Sequence, residues 1–465
     1  MQQFIANLQQ VLQSPILSGS DIPERYRHDW SSEEPGDPLA VVRPGSTEEV
    51  SAVLRLCHAA NQAVVVQGGL SGLCGGGNPR RGELALSLER LSGIEQLDRA
   101  GMTMTVKAGT PLQIIQEAAA EAGFVFPLDL GARGSCHIGG NIATNAGGNQ
   151  VLRFGMTRNL VLGLEAVLAD GTVLTSMNSM LKNNAGYDLK QLFIGTEGTL
   201  GIVTRAVLRL YPRARSRCSA LVALPDFNAV VDLLHRTTRD FAGGLSTFEV
   251  MWHGYYHFIT DHVPAIVSPF AEGHPLYAIV ELEGADPEQD QARFEQTLGS
   301  ALEAGLLSDA TLAASQRERE AYWKIRDGVG EIGQFLKDVA NFDISVPIAS
   351  MAAFLDTIER ELEAAFPGCQ RLAFGHVADS NLHFICSTGR REDIKTIYAV
   401  VYRAVGACQG SVSAEHGIGV QKLPYLAQSR SAEELALMHT LKQALDPKGL
   451  LNPGRVLPAG VNANA

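Results

Sequence analysis

The sequence lacks the marks of several protein classes. No window approaches 18 consecutive apolar residues, so no transmembrane helix is expected. The first residues, Met1-Gln2-Gln3-Phe4-Ile5, have no basic stretch leading into an apolar one, which argues against a secretory leader. No Cys-x-x-Cys pair occurs. The seven cysteines are odd in number and scattered at 57, 74, 136, 218, 369, 386 and 408. That pattern argues against a disulfide framework or a zinc ribbon and points to free thiols in a reducing, cytoplasmic compartment. Positive charge is scarce: 38 Lys plus Arg against 50 Asp plus Glu leave a net charge of −12. An acidic chain of this kind is a poor partner for nucleic acid or an anionic membrane. Internal repeats and low-complexity segments are also missing.

What is present is apolar material and glycine. With 465 residues, 45% of them hydrophobic, the chain is too long for one core and two or three domains are expected. Residues 38–210 alternate strand-like and helix-like runs. Ala63–Gln67 reads as a β-branched strand, and so does Thr103–Lys107. Ser46-Thr47-Glu48-Glu49 reads as a capping box, and Thr110-Pro111 as a helix start with Thr110 as the cap. Asp170-Gly171 is a hairpin signal. Near Tyr211-Pro212 the glycine content falls, and 214–410 reads as a second α+β domain. The expected division is 1–213, 214–410 and a C-terminal segment, 411–465.

Two glycine loops, Gly68–Gly77 and Gly131–Gly148, each follow an apolar run. Glycine lets backbone N–H groups approach an anion closely. Two such loops suit the diphosphate of a long dinucleotide, with Ser71, Ser135, Asn141, Thr144 and Asn145 as further donors; either loop alone could be a plain turn. No Walker A sequence occurs. The one G-x-G-x-x-G, at Gly328, Gly330 and Gly333, follows a helical run rather than a strand and is set aside.

Phe374-Gly375-His376, a polar turn, and Leu382-His383-Phe384 read as a hairpin that brings two imidazoles together. Glu415-His416 follows in a glycine-flanked loop. Two histidines and a glutamate make a three-ligand site with open positions, as a working metal needs; a lone histidine here would be structural. Zinc is the first expectation, and manganese, iron and cobalt also suit the set.

Together these motifs resemble the FAD-linked hydroxy-acid dehydrogenases of the vanillyl-alcohol-oxidase superfamily, in particular the branches that oxidise D-2-hydroxyglutarate and D-lactate. The similarity runs over roughly 23–457. It rests on Gln67-Gly68-Gly69-Leu70-Ser71-Gly72-Leu73, on Pro127–Gly148, on Asn184–Val203 and on the closing Asp446-Pro447…Asn452-Pro453-Gly454. The resemblance implies an α+β fold: a PCMH-type FAD-binding domain of two α+β subdomains, an α+β cap carrying the substrate site, and a C-terminal segment returning to the flavin. It implies FAD held non-covalently by Gln67, Gly68, Gly69, Leu70, Ser71, Gly72 and Leu73 of the first loop. From the second loop it adds Leu130, Gly134, Ser135, Ile138, Gly139, Gly140, Asn141, Thr144, Asn145, Gly147 and Gly148. Glu197, Gly198, Gly201, Ile202 and Asn452 complete the cofactor set. It places a divalent metal on His376, His383 and Glu415, a general base at His416 and a substrate-carboxylate arginine at Arg326. The implied reaction is oxidation of a D-2-hydroxy acid to the 2-oxo acid. Hydride passes to FAD and electrons pass on to an external acceptor: an electron-transfer flavoprotein, a quinone or a cytochrome. A homodimer is compatible with this reading.

The chain departs from the hydroxyglutarate pattern in places. Asn341 stands where those relatives usually carry lysine, Ile385 where they carry asparagine, and Gly330 where threonine is common. A second carboxylate on the substrate would lose partners there, and an unpartnered buried carboxylate is costly. The substitutions favour a monocarboxylic or less polar substrate over 2-hydroxyglutarate. The alternatives are a hydroxyglutarate-specific enzyme and a flavin-binding subunit without turnover; an oxidase that uses oxygen and a flavin-free metal hydrolase are further rivals.

Overall fold

The computed structural model describes residues 2–31 and 33–459. It divides into two compact units: 1–148 with 154–213 and 415–465, and 149–153 with 214–414.

The first unit is built on two sheets. Ala40–Val42, Leu84–Ser87 and Val64–Gln67 form a three-stranded parallel sheet in that order. Ile94–Asp98, Thr103–Lys107, Ile202–Arg209, Val161–Val167 and Val173–Ser176 form a five-stranded antiparallel sheet. One apolar cluster, from Leu8 to Leu451, takes side chains from both. Strand Val161–Val167 is buried at every position, and its one acid, Glu165, accepts the Thr47 and Thr204 hydroxyls. The hairpin after it turns at Gly171, whose φ of 85° favours glycine. Ser46 caps helix Thr47–Ala60 by accepting the Glu49 N–H.

Two local expectations change. Helix Leu112–Glu121 has Pro111 at its cap, without a side-chain bond. The Thr110 hydroxyl instead bonds Gly93 and Lys107, so it ties two strand ends together rather than capping. The C-terminal segment returns to the first unit, as expected, but its boundary moves. Leu451 forms a parallel bridge with Val64, and Lys442 donates to the Thr199 and Leu451 carbonyls and to Asp446, so the tail belongs to the first unit. The divide falls after residue 414 and not after 410, because Ser411 pairs with Ser345 and Ala414 donates to the Asp343 carbonyl.

The second unit is a seven-stranded antiparallel sheet. Its order is Asp309–Leu312, Ser216–Leu224, Leu276–Gly284, Leu245–Trp252, Gln370–Gly375, Asn381–Ser387 and Val339–Ser345. Helices His253–His262 and Gln316–Asp327 pack on one face through Tyr255, Ile259, Tyr322 and Ile325. The two glutamates inside strand Leu276–Gly284 are paired: Glu281 with Arg319 and Trp323, Glu283 with Arg153 and Arg217. Burial without those partners would cost several kcal/mol each (order of magnitude). Among the described residues no helix is long and apolar enough to cross a membrane.

Candidate flavin and metal site

In the first unit, strand Val64–Gln67 delivers the chain into the first glycine loop, where Leu70 adopts a left-handed φ of 53°. A Cβ on Gly69 would lie 1.9 Å from the Ser135 carbonyl oxygen. The two glycine loops are therefore in backbone contact there, and only glycine permits it. The second loop carries helix Ile138–Thr144, with Gly139 pressed against Ala108 while Gly140 faces open space. Asn145 ends this helix in the left-handed region and accepts the Arg158 N–H.

Around these loops, buried polar atoms stand without protein partners: Gln67 Oε1, His137 Nδ1 and Asn141 Oδ1. Buried polar groups are otherwise nearly always bonded. Orphaned donors and acceptors beside a glycine cradle with open space fit a polar dinucleotide such as FAD.

Other expected cofactor residues have protein work. Glu197 (φ 52°) accepts the N–H groups of Ile418 at 2.6 Å and Gly419 at 2.9 Å; burial pushes its carboxyl pKa up, against those bonds. Asn452 accepts the Val66 N–H and donates to the Glu197 carbonyl. These two residues strut the 415–419 loop and strand Val64–Gln67. Ile202 lies in the core and Gly201 packs on Phe193. Thr144 and Ser135 bond the carbonyls of Gly140 and Ala132.

The same unit holds Glu415 and His416, each offering a ligand atom within 4.8 Å of the other. The Gly148 N–H, at the end of the second glycine loop, donates to Glu415 Oε1. The loop beyond is fixed to the first glycine loop: the Cys74 carbonyl accepts the Val420 and Gln421 N–H groups, and its thiol donates to the Gly417 carbonyl. A carboxylate expected to ligate metal is thus bonded to a backbone expected to hold flavin.

In the second unit, strand register sets the other side chains. Met251 pairs with Phe374, Phe374 with His383, and His383 with Asp343. Directly opposed residues share a face, so one row crosses four strands, and Glu249 lies two residues before Met251 on that face. His376 sits just past strand Gln370–Gly375, at the entry to the turn, and not on a facing strand as the hairpin reading expected. Its ring and that of His383 lie 5.5 Å apart between centroids, and a nitrogen of each lies within 4.8 Å of the other.

Each imidazole has a carboxylate behind it. Glu249 bonds His376 Nδ1, and Asp343 Oδ1 lies 4.0 Å from His383 Nδ1. Arg326 donates from Nε to Glu249 Oε2 at 2.9 Å, and its Nη2 lies 3.0 Å from His376 Nε2. Burial alone would raise the Glu249 carboxyl pKa, but His376 and Arg326 outweigh it and hold it at about 2. Of the expected substrate residues, Asn341 is exposed, and Ile385 is buried in the apolar cluster with Leu372 and Phe374. Glu249 and Asp343 escaped the sequence reading. The available signal was a single acid inside the apolar strand Leu245–Trp252.

The fold and this site define a flavoprotein oxidoreductase of the vanillyl-alcohol-oxidase and p-cresol-methylhydroxylase type. The chain belongs to the FAD-linked oxidase family: residues 213–456 match "FAD linked oxidases, C-terminal domain", and residues 38–176 match "FAD binding domain". It is 40% identical to the D-2-hydroxyglutarate dehydrogenase of Xanthomonas citri pv. viticola, covering 93% of this chain and 92% of that protein. The mitochondrial D-2-hydroxyglutarate dehydrogenase of Bos taurus is 37% identical, over 98% of this chain and 83% of its own. A putative mitochondrial D-lactate dehydrogenase of Schizosaccharomyces pombe is 34% identical, over 92% and 84%. Among solved structures, p-cresol methylhydroxylase superposes with a TM-score of 0.79 at 16% identity, over 98% of this chain and 96% of that one. The 4-ethylphenol oxidase of Gulosibacter chungangensis does so with 0.74 at 18%, over 98% and 97%.

Proposed function

We propose that this enzyme oxidises a D-2-hydroxy acid to the 2-oxo acid at a metal-assisted site, with non-covalent FAD. One observation carries the metal reading. The rings of two histidines, each with a carboxylate beside it, lie 5.5 Å apart, and Glu415 follows Ala414, whose N–H bonds the Asp343 carbonyl on the strand next to His383. Two imidazoles and a carboxylate suit a divalent ion, zinc first. Such an ion supplies Lewis acidity that lowers the pKa of a bound hydroxyl, and FAD supplies a two-electron acceptor.

The chain's own residues do the rest. Arg326 pairs with a substrate carboxylate, a charge-assisted contact of fixed geometry. His416 takes the hydroxyl proton, for which imidazole is suited near neutral pH. Glu415 is oriented by the Gly148 N–H. Electrons leave to an external acceptor, a flavoprotein, quinone or cytochrome.

The substrate side chain we infer is less polar than that of 2-hydroxyglutarate. Asn341 is neutral, Gly330 offers no side chain, and Ile385 belongs to an apolar cluster with Leu372 and Phe374. The second reading, 2-hydroxyglutarate itself, is favoured by relatives of that name that match nearly the whole chain. Anaerobic flavin bleaching across a panel of D- and L-hydroxy acids decides between them. Rapid bleaching by D-lactate-like or aliphatic D-acids, with 2-hydroxyglutarate poor, supports the first; the reverse order establishes the second. Bleaching by none of them, or full bleaching after metal removal, refutes the proposal.

A further inference from the structure

Glu249 is 2% exposed, and both of its carboxylate oxygens are engaged. Oε1 meets His376 Nδ1, and Oε2 accepts Arg326 Nε–H. The arginine is fixed from other directions too. Its guanidinium carbon stands 5.2 Å from the centre of the Phe374 ring, and its carbonyl accepts the Tyr255 hydroxyl. Tyr255 in turn stacks on Phe374 at 4.3 Å. The strand pairing that sets Val250 opposite Gly375 brings Glu249 to His376.

We propose that Glu249 is a positioning residue that sets His376 and Arg326 together, fixing Nε2 of His376 as its metal-binding nitrogen. This rests on the metal reading above. An imidazole has two nitrogens, and the one bonded to a carboxylate carries the proton. With Nδ1–H donated to Glu249, the lone pair is on Nε2, where it accepts from Arg326 Nη2 at 3.0 Å; a bound ion would take that lone pair and leave Nη2 free for the substrate carboxylate, with Arg326 still held at Nε by Glu249. The anion also makes the ring a stronger ligand. Its second oxygen holds the arginine whose role is to grip the substrate. One carboxylate therefore links the metal site to the substrate-binding cation.

Glu249→Gln separates these duties. An amide can present its oxygen to His376 or to Arg326, but its NH2 then faces the other donor. One of the two is released in either orientation. In the FAD-loaded protein, Zn2+ affinity read by chelator competition should fall about 10- to 100-fold. KM should rise more than kcat falls and flavin absorbance should stay near wild type, while Tm should drop because the buried Arg326 loses its counter-charge. Glu249→Asp, which keeps the charge, should lose less of each. If the wild type binds Zn2+ and Glu249→Gln binds it equally well with unchanged KM, the positioning role is refuted and the metal reading stands. A wild type that binds no divalent ion removes the metal reading and this inference with it. Should both variants fail to fold, 15N shifts of the His376 ring in the zinc-free wild type decide: a proton on Nδ1 supports the proposal, and a proton on Nε2 overturns it.

Discussion

Gly147→Ala tests whether the second glycine loop orients Glu415, the proposed metal ligand. Gly147 does not adopt a left-handed φ, so alanine meets no backbone strain there. Its Cβ, however, would stand 2.3 Å from Glu415 Oε1 and 3.2 Å from the carboxyl carbon. The cheapest relief is rotation of the Glu415 side chain, the flexible partner. That breaks its bond from the Gly148 N–H. A hydrogen bond to a charged group contributes about 1.5–3 kcal/mol. At roughly 1.4 kcal/mol per factor of ten, divalent-ion affinity should fall about 10- to 100-fold. Folding should be nearly unaffected, because the displaced carboxylate can turn to water. The assay is metal retention against a graded chelator, with flavin absorbance and thermal melting as controls. Unchanged metal affinity in a protein that retains FAD would refute the idea that Gly148 orients Glu415.

Three other outcomes follow from the structure. His416→Ala should keep FAD and metal while turnover falls about 10²- to 10⁴-fold, the usual contribution of a positioned base; unchanged kcat removes His416 from that role. Lys442→Met leaves the buried Asp446 carboxylate and the Thr199 and Leu451 carbonyls without the ammonium, so about 3–5 kcal/mol of stability should be lost, seen as an earlier melt of the FAD unit. Burial pushes the Cys57 thiol up to about 12 from 9.0, so it should resist thiol reagents at pH 8 in the native protein and react once unfolded. The sign is that of a neutral form favoured by folding: Cys57 costs no stability below about pH 9, and stability declines as pH rises from there towards 12. Rapid labelling of Cys57 in folded protein would contradict the burial.

Where local chemistry was decisive, the sequence was legible. Strand Thr103–Lys107 was read to the residue because its β-branched run is bounded by turns. The Ser46 cap was read correctly, but the box is not closed, because the Glu49 carboxylate accepts the Gly45 and Gln13 N–H groups instead of that of Ser46. Thr110 was misread because a cap and a strand tie draw on the same hydroxyl, and only the approach of Gly93 chooses between them. Gly69 announced a loop, but the contact with Ser135 that demands glycine lies in another segment. The site divides in the same way. His376, His383, Glu415 and His416 stood out as short polar motifs in apolar surroundings. Glu249 lies 127 residues from His376, inside a strand whose apolar pattern hides it.

The amino-acid order alone determined the glycine cradles, the imidazole hairpin and the acid-histidine loop, because each is a matter of neighbours along the chain. Only the tertiary structure decided which carboxylates stand behind the imidazoles and which backbone N–H steadies Glu415. It also decided that the second unit runs on to residue 414. Those choices depend on strand register and loop contact between distant segments, where a shift of one residue would turn Glu249 to the opposite face of the sheet.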